Sequence, residues 1–569
     1  MATCKIHQFC FPLIALLYCI PAQAATNAAA SASGANVQTA IDASADGDTV
    51  TIPAGEAAWS TEVLVPSTKS LIILGSYTNY THDGSANSAS FVDGGESWST
   101  NQWQNYVIRN TTDDTMGIIL SNTATIIYAT MWGNANTSDL DWDAGDVAMI
   151  VTTYIEDNVA SASAMEIQVG DGATEVGYIA FNDLDNSKTG GSLFAPHLFI
   201  NAQDTGNLSV RVHHIDVLGV SSRGITAMSN QNSTFGLIDH VFVYGDTGSP
   251  QGIDPVGTGA ENTWTWDNLS STLGTSSAWY IEDCVFFWDG ITADAGVDAY
   301  GGARFVVRYC TFVDTHLSFH GTDSGGYISP MIWEYYNNYS HYIANSGRAF
   351  HSRGGTGVIW SNAWETGIGT MDLASYRSGV TDFALWGRCD GTNSYDGNSA
   401  LETGTHDGAE NAAAFADSSK SWTVNEWTDD YDYYVRNTTD GSAGFITTND
   451  ATTLTVTLAG GTDNDFDSGD TIEISNGYPC YTQNGMGATG LVSTPIYEWG
   501  NLLGGVDIDL TVVPNVRAAD HVLLGRDFYN DTPKPGYSAL TYPHPLVSVS
   551  AVWPQSADIP PNRLWMGVP

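Results

Sequence analysis

The chain has 569 residues, 42% apolar and 11% aromatic, a globular composition rather than a disordered one. It carries 63 Asp plus Glu against 18 Lys plus Arg, a formal net charge of -45. That balance repels polyanions, so neither nucleic acid nor an anionic membrane is expected as a partner.

The first 24 residues read as an export signal. A lysine in "MATCKIHQFC" precedes the short apolar core "FPLIALLYCI", and "AQA" at 22–24 supplies a small-residue cleavage site. Cleavage is expected after Ala24, and the protein is expected to be secreted. The apolar core is too short to cross a bilayer, and no later stretch suggests a membrane span. Beyond the signal the cysteines are Cys284, Cys310, Cys389 and Cys480, too few for a disulfide framework. Cys389 and Cys480 are candidates for one bridge.

The segment 25–90 reads as a cap followed by first strands. Residues 91–152 then form a unit that recurs at 415–475. "SWSTNQWQNYVIRNTTDD" (97–114) matches "SWTVNEWTDDYDYYVRNTTDG" (421–441), and "DLDWDAGDVAMI" (139–150) matches "DNDFDSGDTIEI" (463–474). Alternating residues with Gly and Asn turns predict two small β modules inserted in a longer array. Each copy holds an acidic turn: Asp139, Asp141, Asp143 and Asp146 in the first, Asp463, Asp465, Asp467 and Asp470 in the second. Alternate carboxylates around a turn suit Ca²⁺, which takes many oxygen ligands; the competing reading is an acidic turn with its aromatic packed inward. Trp98, Trp103, Trp422 and Trp427 are candidates either for sugar binding or for the module cores.

Between the modules, 153–414, a shorter repeat runs through "VRVHHI" (210–215), "LIDHVF" (237–242), "IEDCVF" (281–286), "VRYCTF" (307–312), "YYNNYS" (335–340) and "IWSNAW" (359–364), with "IAFNDL" (179–184) before them. Aligned, they give an apolar column, a small polar column (Asn182, His213, His240, Cys284, Cys310, Asn338, Asn362) and a largely aromatic column broken at Ser340. Coils that cannot bury an apolar face alone must stack and share a core. The fold class predicted is all-β, a solenoid of stacked parallel strands with two inserted small β modules; the resemblance given below implies its form, a right-handed parallel β-helix. His213, His240, Cys284 and Cys310 are then ladder members between coils rather than metal ligands. The long step from 240 to 284 predicts an inserted loop over 243–278, and 476–569 supplies the last coils and a C-terminal extension.

The opening "NVQTAIDASADGDTVTIPAGEAAWSTEVLVPSTKSLIILG" (36–75), with a short capping helix, a Gly-Asp turn and a strand ending in Pro-Ala-Gly, resembles the start of the pectate-lyase-like superfamily of right-handed parallel β-helices. The resemblance extends over 175–390 and, more loosely, 476–545. It implies the fold. For activity it implies a choice among lyases, hydrolases, esterases, phage tailspikes, adhesins and surface proteins of other kinds. For lyases of this kind it further implies an Arg or Lys base, commonly with Ca²⁺.

Six of the 18 basic residues fall within 304–388, and four of the 13 histidines within 316–351. Side chains alternate along a strand. Arg304 and Arg308 are therefore expected outside the coil, on a face with Glu282, Glu334, Tyr280, Tyr336 and Trp360. That face reads either as a sugar platform with arginines for an anionic group or as Arg308–Glu282 and Arg304–Glu334 pairs. "SFHGTDSGG" and "AFHSRGGTG" bring His320, His351 and Arg353 together on stacked coils, with His316 close by. Three functions follow. A polysaccharide lyase would use Arg304, Arg308 or Arg353 to neutralise a uronate, His320 or His351 as base and Tyr336 as acid. With no lysine in 189–419, the base must be His or Arg. A glycoside hydrolase would need two carboxyl groups, from Asp298, Asp323, Glu334 or Asp294. A non-catalytic surface or filament protein would use the array and modules alone. The lyase reading, with an acidic polysaccharide as partner, leads.

Overall fold

The computed structural model describes residues 24–549 except 134–138, 170–171, 185–194, 202–207, 221, 230–233, 246–250, 258–272, 290–294, 322–328, 345–347, 375–390, 392–395, 398, 429–432, 481–482, 487–490 and 514–520. Residues 1–23 of the expected export signal (1–24), Asp294, Asp323, Arg377, Arg388 and Cys389 therefore lie outside the described residues. Among the described residues, no helix is long and apolar enough to cross a membrane.

Among the described residues, three sheets of 12, 11 and 10 strands run the length of the array, parallel except for the last pair of the second, Leu502–Leu503 with Val506–Asp507. Each coil contributes one strand to each sheet, in the repeating order 1, 2, 3. One coil runs Trp279–Glu282, Val285–Trp288 and Val297–Ala299; the next runs Arg304–Arg308, Thr311–Val313 and Leu317–Phe319. Crossovers between parallel strands are right-handed, and the chain is a right-handed parallel β-helix. Its first coils are capped by the helix Gly34–Ala43, which buries Val37, Ala40 and Ile41.

The core is built from residues that stack in register. Ile238, Ile281, Val307, Tyr335 and Ile359 line sheet 1; Val243, Phe286, Phe312 and Trp364 line sheet 2; Ile253, Val297, Leu317, Phe350 and Met371 line sheet 3. All are at most 2% exposed, and full burial of side chains of this size contributes about 1.5–3 kcal/mol each. Ser340 leaves a gap in the sheet 2 column. The Tyr335 ring occupies that neighbourhood, 6.1 Å from Phe312 and 6.2 Å from Trp364 by ring centroids.

Sheets 1 and 2 meet at a turn with a left-handed residue in each coil: Tyr178, His214, His240, Asp283, Tyr309, Asn337 and Ser361, with φ between 51° and 59°. The residue after each turn points inward. That column is Ile179, Ile215, Val241, Cys284, Cys310, Asn338, Asn362 and Asn501. Cys284, Cys310, Asn338 and Asn362 stand where the repeat predicted. Asn182, His213 and His240 do not, because the sequence alignment slips by one to three residues in the earlier coils. A one-residue slip in a strand reverses which side chains face the core, and here the apolar residue after the turn decides the register. Asn338 donates to Val307 O and Asn362 Oδ1, and Asn362 donates to Tyr335 O and Asn501 Oδ1.

The 243–278 stretch is also corrected. Phe242–Gly245 and Gln251–Gly257 are regular coil strands of sheets 2 and 3, so the extra length begins after Gly257. Two six-stranded antiparallel sheets interrupt the array. One runs from Tyr77–Thr81 to Val147–Val151, the other from Glu402–Thr405 to Thr471–Ser475. Cys480 is disulfide-bonded, while Cys284 and Cys310 are free buried thiols.

Candidate functional site

The outer face of sheet 1 is closed. Arg304, Arg308, Glu282, Glu334, Tyr280 and Tyr336 do point outward, but all are buried, and residues 534–549 cross over the Tyr280–Arg308–Tyr336 part of the face. Ala539, Leu540, Leu546 and Val547 pack on Leu237, Tyr280, Val306 and Tyr336. Arg308 is fully buried, ion-paired to Glu282, and donates to Leu540 O at 2.7 Å and Thr541 O at 2.9 Å. The Tyr280 and Tyr336 rings lie 4.9 and 5.8 Å from its guanidinium. Glu334 accepts from Tyr537 Oη at 2.5 Å and from the Gly274 amide at 2.6 Å, not from an arginine as expected. Burial alone lowers the pKa of Arg304 to about 10. Trp360 stacks between Tyr336 and Trp499, with interplanar angles of 10° and 3°, so its ring faces are occupied. The expected sugar platform is thus a packed layer, and Tyr336 is no proton donor to a substrate. Alternation along a strand gives only the outward direction of a side chain, and a C-terminal segment that covers the face leaves no periodic signal.

The outer face of sheet 3 gathers the remaining candidates. The inward residues Ile253, Val297, Leu317 and Phe350 align, so the residues that follow each, Asp254, Asp298, Ser318 and His351, form an outward row. His320 comes from the end of the same strand as Ser318. Its Nδ1 lies 2.5 Å from Asp298 Oδ2, and its side chain is 25% exposed against 2% for Asp298. Asp298 also accepts from Gln251 Nε2 at 2.5 Å. Asp254 is buried and ion-paired with Arg223, which donates to Tyr300 Oη at 3.1 Å. The Tyr300 ring meets the His320 ring at 5.3 Å. Asp254 Oδ1, Asp298 Oδ1 and both ring nitrogens of His351 have no hydrogen-bond partner among the described residues.

Electrostatics divides the histidines. Burial disfavours the His320 cation, but the Asp298 carboxylate outweighs burial and raises its pKa. Burial pushes His351 down to about 2 and His316 to about 4, and the charges of Arg348 and Arg353 add to both effects. Asp254 is raised by burial, against the pull of Arg223 and with a push from Asp298. The arrangement holds one solvent-touching imidazole on a buried carboxylate, next to arginine charge. It can move a proton and attract an anion.

His320, His351, Arg353, Asp298 and His316 thus share one site. Arg308, Glu334, Arg304, Tyr280, Tyr336 and Trp360 belong to the covered face. Asp254, Arg223, Tyr300 and Gln251 were missed. Gln251 and Asp254 lie in the strand "QGIDPVG", within the stretch expected as a loop, while Arg223 and Tyr300 lie outside it and carry no pattern of their own.

The module turns are mixed. Asp146 Oδ2 accepts from the Asp143 amide and Asn110, and Asp470 Oδ2 from the Asp467 amide and Asn437, so the last carboxylate of each motif closes its own turn. Asp463, Asp465 and Asp467 each bring one oxygen within 4.8 Å of the others. Trp98, Trp103, Trp422 and Trp427 are 6–9% exposed and belong to the module cores.

No protein-family model matches the chain, and no curated protein sequence matches it. Three solved structures align with it. The tailspike gp61 of Pseudomonas phage phi297 is 10% identical over 77% of this chain and 90% of its own, with a TM-score of 0.16. The tailspike gp49 from Pseudomonas phage LKA1 is 12% identical over 77% and 91%, with a TM-score of 0.17. The Gp54 tailspike of Acinetobacter baumannii bacteriophage AP22, in complex with A. baumannii capsular saccharide, is 9% identical over 78% and 95%, with a TM-score of 0.15. At such values the alignments decide nothing about activity, and the fold stands on the strand pairing above.

Proposed function

We propose that this chain is an exported enzyme that cleaves an acidic polysaccharide by β-elimination at the His320–Asp298 site. The observation that carries the reading is the partly exposed His320 on the buried Asp298, beside the charge of Arg353 in a chain of net charge -45. A catalytic group must reach its substrate, and His320 is the accessible member of the dyad. Arg353 holds the uronate carboxylate and so acidifies the hydrogen at C5. His320, oriented through Nδ1 by Asp298, takes that proton through Nε2. The electron pair left at C5 forms the C4–C5 double bond as the C4–oxygen bond breaks. The imidazolium returns the proton to the departing oxygen. The low charge density of cations elsewhere on the chain makes calcium or salt a useful screen for an anionic substrate.

A second reading, glycoside hydrolysis, is favoured by one observation: Asp254 and Asp298 are adjacent outward carboxyls, each with an oxygen lacking a partner among the described residues. Two such groups are what hydrolysis requires. The test is incubation with a panel of polyuronides and sulfated and neutral glycans, with and without Ca²⁺, reading unsaturated-uronate absorbance and new reducing ends in parallel. A rise in both, abolished in His320→Ala, supports elimination. Reducing ends alone, lost in Asp254→Asn, overturn it for hydrolysis. Silence from folded protein that still binds glycan leaves a binding protein.

A further inference from the structure

The two modules share a sequence pattern but not a surrounding. In the first, Val107, Met116, Ile118 and Trp132 lie on the sheet face turned away from the module core, and they pack on Leu218, Phe242, Val285 and Phe287 of the array. Arg109, on the same face, is buried and ion-paired to Asp216 of the array. The repeat and the strand pairing put Tyr434, Ala443, Phe445, Ala459 and Arg436 at the same five positions of the second module. Glu473, paired with Arg436, stands where the first module has the buried Met149, paired with Arg109. Here the face is open: Phe445 is 38% exposed, and Tyr434, Arg436, Ala443 and Glu473 are half-buried. Among the described residues Arg436 makes no ion pair, not even with its cross-strand neighbour Glu473.

We propose that this face of the second module binds a polysaccharide chain bearing carboxylates, with sugar rings against Tyr434 and Phe445 and a carboxylate on Arg436. That this chain is the polymer cut at the His320 site rests on the reading above. The chemistry follows from what differs between the copies. The centre of a protein interface is depleted of charge, yet this face holds Arg436 and Glu473, and alanines stand where the first module has Met116 and Trp132. What it offers instead is a pair of aromatic rings, 5.3 Å apart by centroids and 62° from parallel. Sugar C–H groups carry partial positive charge and settle on the negative face of such rings. Ala443 and Ala459 pair across the strands beside them and leave a shallow floor. Arg109 finds its carboxylate in Asp216; Arg436, at the same position, has a planar fork that matches one from a ligand. Glu473 alongside accepts from sugar hydroxyls. A polymer held here and at the His320 site is tethered twice, which raises its effective concentration at the second site.

The test is affinity electrophoresis of the full-length His320→Ala chain, which leaves the polymer uncut, through gels containing alginate, polygalacturonate, hyaluronan or the neutral dextran. The expected result is retardation by at least one of the acidic polymers and none by dextran. The Tyr434→Ala, Phe445→Ala double variant should weaken that retardation about tenfold, and Arg436→Gln should also weaken it. Val424→Ser, at an exposed position elsewhere in the module, should migrate as its parent does. Retardation by a polymer that the wild-type chain does not cut supports this inference and counts against elimination at His320. No retardation by any acidic polymer, equal retardation by dextran, or retardation unchanged in a folded double variant overturns it. Dimerisation that is lost in the double variant, without retardation, overturns it in favour of a second copy of the chain.

Discussion

Single side chains decide the electrostatics of this molecule. Asp298 holds the His320 pKa above the ordinary imidazole value, so elimination that needs neutral His320 should rise with pH through that raised pKa. Asp298→Asn removes the carboxylate charge, and the rising limb should move to lower pH while the maximum rate falls; a pH–rate profile on the responsive polyuronide checks both. Arg308 is a different case. It neutralises Glu282, whose pKa burial raises and Arg308 pulls back. Arg308→Ala leaves a buried carboxylate without its cation, and denaturant unfolding should show a loss of about 3–5 kcal/mol. At the other end of the chain, the Ala25 nitrogen donates to Asp48 Oδ1 at 2.7 Å, and backbone donors at Ala25 and Ala45 lower the Asp48 pKa. Cleavage after Ala24, expected from the sequence, would turn that amide into an ammonium facing a carboxylate. N-terminal sequencing of exported protein should read Ala25 first, and Asp48→Asn should lower the unfolding temperature of the processed form more than that of the unprocessed one.

Among the elements, the sheet 1–sheet 2 turn sets the register of the array. Asn338, Asn362 and Asn501 satisfy one another and the carbonyls of the preceding coils. Asn362→Ala should therefore cost about 1–3 kcal/mol for each buried partner left unmatched, measured by chemical unfolding. The turn residue beside it tells the opposite story. Ser361 holds φ at 52°, a conformation costly for a residue with a side chain and free for glycine. Ser361→Gly is expected to be neutral or stabilising by up to about 1 kcal/mol in the same measurement. The covering segment 534–549 is also a discrete element: truncation before Lys534 should expose the Tyr280–Arg308–Tyr336 layer and raise binding of a hydrophobic dye.

At the scale of the whole molecule, a charge of -45 makes the folded state repel itself. Raising salt from low to about 0.1 M, where the screening length is about 10 Å, should raise the unfolding temperature even without calcium. Much of this architecture was legible in the sequence, because a stacked array forces apolar residues to recur once per coil. Cys284, Cys310, Asn338 and Asn362 announced their column, and the paired modules announced themselves by repetition. The register at His213 and His240 was not legible, since polar turn residues there imitate the polar column. Half of the candidate site was visible as a cluster of His and Arg. Asp254 and Arg223 were not, because one acidic residue among 63 and one basic residue among 18 carry no signal until register places them together beside Asp298.

The segment that covers sheet 1 has a mechanical consequence. A plain solenoid pulled by its C-terminus should shed coils one at a time from that end. Here residues 540–544 are tied to Glu282, Asp283 and Arg308, more than 230 positions earlier in the chain. Force entering from the C-terminus therefore reaches the middle of the array first, and the last coils hang in a bypassed loop. Single-molecule extension should show an early rupture of this fastening, followed by stepwise peeling.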